Sequence, residues 1–212
     1  MLTPTGDGAA LPRLPAAAAE GRAITRALAG HDVALLGGRD ATEARVRHAM
    51  TGASVVHFAT HGVVSDEAPS SSYLALAGAS PRGDDDGHLS AGELYDLRLD
   101  ADLVMLGACR SATGPDTGDG VTGLARAFLA AGVPTVVAAL WDLPDATTAR
   151  LQPAFYRRWH ALASPSDALR HAQLDLLRQL RAGRVTVTTA VGVLTLPEHP
   201  SMWAGLVAIG VP

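Results

Sequence analysis

The stretch Asp102-Leu-Val-Met-Leu-Gly-Ala-Cys109 is an apolar run closed by small residues and by the only cysteine of the chain. Its length and its near-continuous apolar character fit a strand buried on both faces, as parallel sheets require. A second apolar run, Ala53-Ser-Val-Val-His-Phe-Ala-Thr60, ends in the same manner on His61-Gly62. Parallel strands present their carboxyl ends on one edge of a sheet, so residues following two such strands face a common crevice.

The rest of the chain supplies the helices that such a sheet needs. Residues 16–29 read as a helix stopped by Gly30, followed by a short strand at Asp32-Val-Ala-Leu-Leu36 and an amphipathic helix from Thr42 to Met50. Ser72 to Ala77 reads as an extended segment. Ser90, with Glu93 three residues on, marks a capping box for a short helix ending near Leu97. Val121 to Ala131 is a helix stopped by Gly132, and Pro134 to Leu140 is a buried strand. Asp145 opens a long helix to about Leu162 and Ser166 another to about Ala182, the second with Leu169, Ala172, Leu176 and Leu180 on one face. Val185 to Val191 alternates as an extended excursion, and Trp203 to Ile209 closes the domain as a last strand. This alternation predicts an α/β fold with a mostly parallel central sheet sandwiched by helices. Residues 1–15, rich in proline and glycine, read as a tail or linker, and 16–212 as one domain.

Composition narrows the function. A chain of 212 residues with 48% hydrophobic content suits one α/β domain. The formal charge of −4 gives no nucleic-acid footprint and no basic membrane patch. All 17 basic residues are arginine, which excludes lysine Schiff-base chemistry and a Walker lysine. Together with the alanine excess, this points to GC-rich coding and a bacterial source. A single cysteine cannot form an internal disulfide, which fits a reducing, cytoplasmic location. The N-terminus has no secretory signature, and no run approaches the ~20 apolar residues of a membrane span.

Cys109 and His61 carry the chemistry. A thiol needs a base to become a nucleophilic thiolate, and histidine is the usual one. The competing reading is a core cysteine beside a satisfied loop histidine. The flanking Gly62 and Gly107, and the long loop after Cys109, favour chemistry because they let a ligand approach backbone. His57, four residues before His61, is read as a buried, hydrogen-bonded histidine beneath the site, since that spacing on a strand does not converge two imidazoles on a metal. Gly118-Asp-Gly-Val-Thr-Gly123 matches a dinucleotide fingerprint, with Asp142 near the position of a ribose-binding acid. The fingerprint, however, needs its first glycine directly after the first strand, so a dinucleotide-binding oxidoreductase is the weakest alternative. Trp141 and Asp142 follow the 134–140 strand at the same edge. They either wall a substrate pocket, with Asp142 favouring a basic substrate residue, or serve as an interface tryptophan and a helix cap. Asp84-Asp-Asp86 reads as a solvated acidic loop.

His57-Phe-Ala-Thr-His-Gly62 and Leu106-Gly-Ala-Cys-Arg-Ser111 resemble the two signature blocks of the CHAT family, caspase-like peptidases of the clan that includes separase and the metacaspases. The resemblance continues through Gly118 to Gly132, Val136 to Asp142 and His199 to Gly210, and covers essentially residues 13–212. It implies a three-layer caspase-like sandwich and a cysteine endopeptidase. It also implies His61 as general base, Cys109 as nucleophile, and an oxyanion hole from the backbone N–H groups of Gly62 and Cys109. No cofactor or metal is implied. The implied partners are a protein substrate and a regulator, either a separate protein or an upstream helical-repeat domain. Ordering of loops 64–71, 79–88 and 110–118 would be the natural switch. Gly107 stands where the family usually has serine, and Arg110 where glutamate is common. The alternative within the same fold is a catalytically silent interaction module.

Overall fold

A computed structural model describes Leu11, Leu14 and residues 16–65, 67–78, 85–107, 119–162 and 164–211, without the side chains of 119–122. The central sheet has strand order β1-β5-β6-β9, formed by Val55–Phe58, Leu103–Leu106, Thr135–Ala139 and Leu206–Gly210. β1, β5 and β6 run parallel, and β9 returns antiparallel along β6. At that outer strand Gly210 is held at a φ of 113°, with its Cα against the Pro134 carbonyl, a place no side chain could occupy.

Every residue of β5 and β6 is buried, which is why their sequences are apolar throughout. Alternate residues nevertheless serve different layers. Val104, Leu106, Val136 and Ala138 pack with α2 (Glu43–Met50), α3 (Ala91–Tyr95) and α4 (Asp119–Ala130), where Met50, Leu94 and Phe128 meet them. Leu103, Met105, Val137 and Ala139 pack with α1 (Ala17–Ala27), α5 (Asp145–Leu162) and α6 (Pro165–Arg181), where Ile24, Phe155 and Leu176 meet them. The period of two sends successive side chains to opposite faces and so builds helix, sheet and helix as three layers. Each fully buried leucine or phenylalanine contributes roughly 1.5–3 kcal/mol to this core. The α/β fold with a mostly parallel sheet flanked by helices is therefore as expected.

Local signals explain the helix starts. Ser90 and Glu93 form the complete capping box of α3. Thr42 caps α2 by accepting from Arg45 N–H. Helix α6 starts earlier than expected: Ser164, rather than Ser166, accepts from Asp167 N–H, because Pro165 occupies the first helical position.

Other differences concern short strands. β2 (Gly62–Val63), β3 (Tyr73–Ala75) and β4 (His88–Ser90) form a separate antiparallel sheet beyond the end of β1. β7 (Thr186–Thr189) and β8 (Gly192–Thr195) make an exposed hairpin where an extended excursion was expected. Asp32–Leu36 is not a strand. Leu35 turns back onto α1, where it touches Gly21, and the backbone of this segment joins no ladder among the described residues. The proposed tail 1–15, except Leu11 and Leu14, and most of the loops 79–88 and 110–118 lie outside the described residues.

Candidate active site

The register of β1 on β5 ends at Phe58 opposite Leu106, and Gly107 N–H continues the ladder to Phe58 O at 3.3 Å. His61 lies three residues beyond Phe58 in the sequence and Cys109 three residues beyond Leu106. Cys109 itself is outside the described residues.

His61 is 1% exposed. The small sheet pins its backbone: the His61 carbonyl accepts from Ala75 N–H at 2.8 Å, and the Thr60 hydroxyl donates to the Ala75 carbonyl. Gly62 is buried in β2, opposite Leu74. Bonding alternates along an antiparallel ladder, and the Ala75–His61 bond makes their pair a bonded one. The N–H of Gly62, in the next pair, is therefore directed away from β3.

His57 is hydrogen-bonded as expected but only partly buried, its side chain 14% exposed, and its partners come from two helices. Its Nε2 lies 3.0 Å from Glu20 Oε1 of α1, and its Nδ1 lies 2.8 Å from the Tyr156 hydroxyl of α5. Tyr156 is fully buried, and that burial, reinforced by the charge of Glu20, pushes its phenol above the ordinary range. The phenol therefore keeps its proton, and a hydrogen bond joins it to Nδ1 while the Nε2 proton is directed at the Glu20 carboxylate. Gln152, also on α5, donates from Nε2 to the Gly107 carbonyl at 3.2 Å. The carboxyl ends of β1 and β5 thus rest on one buried polar layer supplied by α1 and α5.

A clue to this layer does exist in the sequence. Glu20 and Ile24 are four apart, and so are Gln152 and Tyr156, so each polar residue shares a helix face with a core residue. An acid or amide on an apolar face needs a buried partner.

Trp141 and Asp142 follow β6 at the same edge of the sheet. The Trp141 indole N–H donates to Ser201 O at 3.0 Å and the ring lies over Gly205, just before β9. Asp142 is exposed on the turn leading into α5. The glycine-rich stretch starting at Gly118 leads into α4, twelve residues after the end of β5, and not directly from a strand as a dinucleotide fingerprint requires.

These features define an α/β domain in which the segments after β1 and β6 leave the carboxyl edge of a parallel sheet. The family model of the CHAT domain matches residues 3–211, and the chain belongs to that family. Tetratricopeptide repeat protein 28 of Mus musculus is 32% identical over 206 residues, covering 82% of this chain. The protein of the same name from Homo sapiens is 32% identical over 203 residues, again covering 82% of this chain. The chain spans 8% of the length of each of these relatives. No helix among the described residues is long and apolar enough to cross a membrane.

Proposed function

We propose that this chain is a cysteine endopeptidase with His61 as general base and Cys109 as nucleophile. The observation that carries the reading is the register of β1 on β5, with His61 and Cys109 each three residues past the final pair, Phe58 and Leu106. In this mechanism His61 takes the thiol proton and the thiolate adds to the scissile carbonyl. The tetrahedral oxyanion is held by the N–H groups of Gly62 and Cys109, each worth about 3–4 kcal/mol. Collapse breaks the C–N bond, the imidazolium protonates the leaving amine, and water then hydrolyses the thioester.

The catalytic domain is residues 16–212, with 1–15 as a tail or linker. The names of the relatives, tetratricopeptide repeat proteins, support a helical-repeat domain or partner as the regulator. A silent interaction module is the second reading, and the near-complete enclosure of His61 favours it.

Iodoacetamide labelling of the single cysteine separates the two. An activated Cys109 alkylates fast near neutral pH and slows about tenfold or more in His61→Ala. Cys109→Ala and His61→Ala each abolish cleavage of protein substrates while circular dichroism stays unchanged. Retained cleavage by Cys109→Ala would refute the nucleophile. A thiol no faster than a free cysteine, unaffected by His61→Ala, would favour the module.

A further inference from the structure

On the outer side of α1, α5 and α6, away from the sheet, lies an open cleft of about 650 Å³. Arg26, Arg150, Arg157, Arg178 and Arg184 line it, and Asp175 is the one carboxylate among its lining residues. Asp175 is already engaged by Arg158, at 2.9 Å, and by Arg178. Arg150 is tied to the backbone carbonyls of Ala146 and Arg184 at 3.0 and 3.4 Å. Arg26, Arg157 and Arg184 make no side-chain hydrogen bond or ion pair with the described residues. A chain of net charge −4 thus gathers five arginines around one concavity and leaves three of them without a counter-ion among the described residues.

We infer that this cleft is a binding site for a small ligand bearing several phosphate groups in a row. Gathering like charges costs repulsion, which an anionic ligand reverses. Guanidinium groups bind phosphate oxygens in a bidentate, charge-assisted way, and several of them around one pocket match several phosphates better than one. The floor between them is built of small residues, alanines and Pro153, which leaves depth for a ligand. The volume falls in the range of small-molecule sites, roughly 300–1,000 Å³. That size, and the negative charge of the chain as a whole, favour a compact polyphosphate over a nucleic-acid strand. The same helices present Glu20, Tyr156 and Gln152 on their inner faces to His57 and Gly107, so the ligand would bear on the elements that back the strand ends.

The test is calorimetric titration of the whole chain with inorganic tripolyphosphate. One-to-one saturation is expected, weakened about tenfold or more in the triple variant Arg26→Gln, Arg157→Gln, Arg184→Gln. The charge-matched variant Arg39→Gln, Arg98→Gln, Arg170→Gln, altered at exposed arginines outside the cleft, should bind like the wild type. Orthophosphate should bind more weakly than tripolyphosphate. ATP binding as tightly as tripolyphosphate assigns recognition to the phosphate chain, and tighter binding adds a nucleoside contribution. Absence of saturation at millimolar tripolyphosphate would overturn the proposal, as would equal losses in the two triple variants. So would binding of single-stranded RNA or an acidic peptide that tripolyphosphate does not displace.

Discussion

The imidazole of His57, on β1 at the edge of the central sheet, is held 3.0 Å from the carboxylate of Glu20, 37 residues earlier on the first helix. The Glu20 side chain is 6% exposed and that of His57 14%, so the contact lies between protein layers and not in solvent. A buried carboxylate without a donor would be costly, and His57 is the donor that its position on α1 supplies. Through this bond the placement of α1 is tied to the strand that leads to His61.

Glu20→Gln should keep the contact, since the amide oxygen still accepts from Nε2–H. Glu20→Leu strands that N–H and should cost about 1–3 kcal/mol, read from urea unfolding. Tyr156→Phe removes the hydrogen-bond partner of Nδ1 and should cost a similar amount. If His57 positions the end of β1, Glu20→Leu also slows alkylation of Cys109, while Glu20→Gln restores it. Identical stability of the leucine and glutamine variants would mean that the bond carries no weight.

Much of this fold can be read from the sequence because buried parallel strands leave long apolar runs bounded by glycine. The runs over β1, β5 and β6 and the capping box at Ser90 and Glu93 are local signals, and all were realised. Which face each residue serves is not local. Leu103 to Leu106 are all apolar, so their alternation between two helix layers leaves no mark. Asp32–Leu36 has strand composition, yet its Leu35 finds α1 and its backbone finds no ladder among the described residues, a tertiary outcome that propensity cannot foresee. β2 and β4 are two and three residues long, too short to show a period. Beneath the ends of β1 and β5, the layer of Glu20, Tyr156 and Gln152 required knowing which helices lie there.

Gly107 illustrates the same point. A Cβ there would sit 2.2 Å from Gln152 Nε2 and 3.3 Å from His57 Cε1. The serine usual in the family at this position therefore requires the Gln152 amide to move and to give up its bond to the Gly107 carbonyl. Gly107→Ser should destabilise the chain by about 1–3 kcal/mol through overpacking. Adding Gln152→Ala should recover part of that loss, giving a favourable coupling in a double-mutant cycle. Additive losses would show that the two residues do not compete for the space.

A buried acid, Glu43, beside a half-buried one, Glu93, sets a pH dependence. Glu43 on α2 is fully buried and Arg47 reaches both Glu43 and Glu93, at 3.2 and 3.3 Å. Burial, with the bonding and charge of Glu93 beside it, raises Glu43 from 4.5 to about 7, although Arg47 opposes. The folded state holds this proton more tightly than the unfolded chain. The stability it contributes is present below the ordinary value and is lost as pH rises through about 7. Glu93 works in the opposite sense: against the cost of burial, bonds from Ser90 hold it below its ordinary value, so its contribution is lost only on the acid side. Wild-type stability should therefore fall by about 1–3 kcal/mol between about pH 5 and pH 8. Glu43→Gln, which mimics the protonated form, should flatten that slope in urea titrations. An unchanged slope would place the titrating group elsewhere.

The pocket prediction concerns Asp142. It follows β6 by three residues and is exposed, on the edge of the sheet toward which β1 and β5 also run. Its neighbour Trp141 is anchored to Ser201 and covers Gly205, so the turn between β6 and α5 is fixed from one side. A carboxylate on a fixed turn at that edge suits an arginine or lysine of a substrate, and such a pair gains strength where water is partly excluded. In peptide-library cleavage, Asp142→Asn should lower turnover after basic residues by about tenfold, or about 1.4 kcal/mol, with little change after other residues. Trp141→Ala should instead weaken cleavage of all substrates alike, because it loosens the turn without touching the charge. A residue preference that survives Asp142→Asn but changes in Trp141→Ala would assign the pocket to the tryptophan and make its specificity apolar.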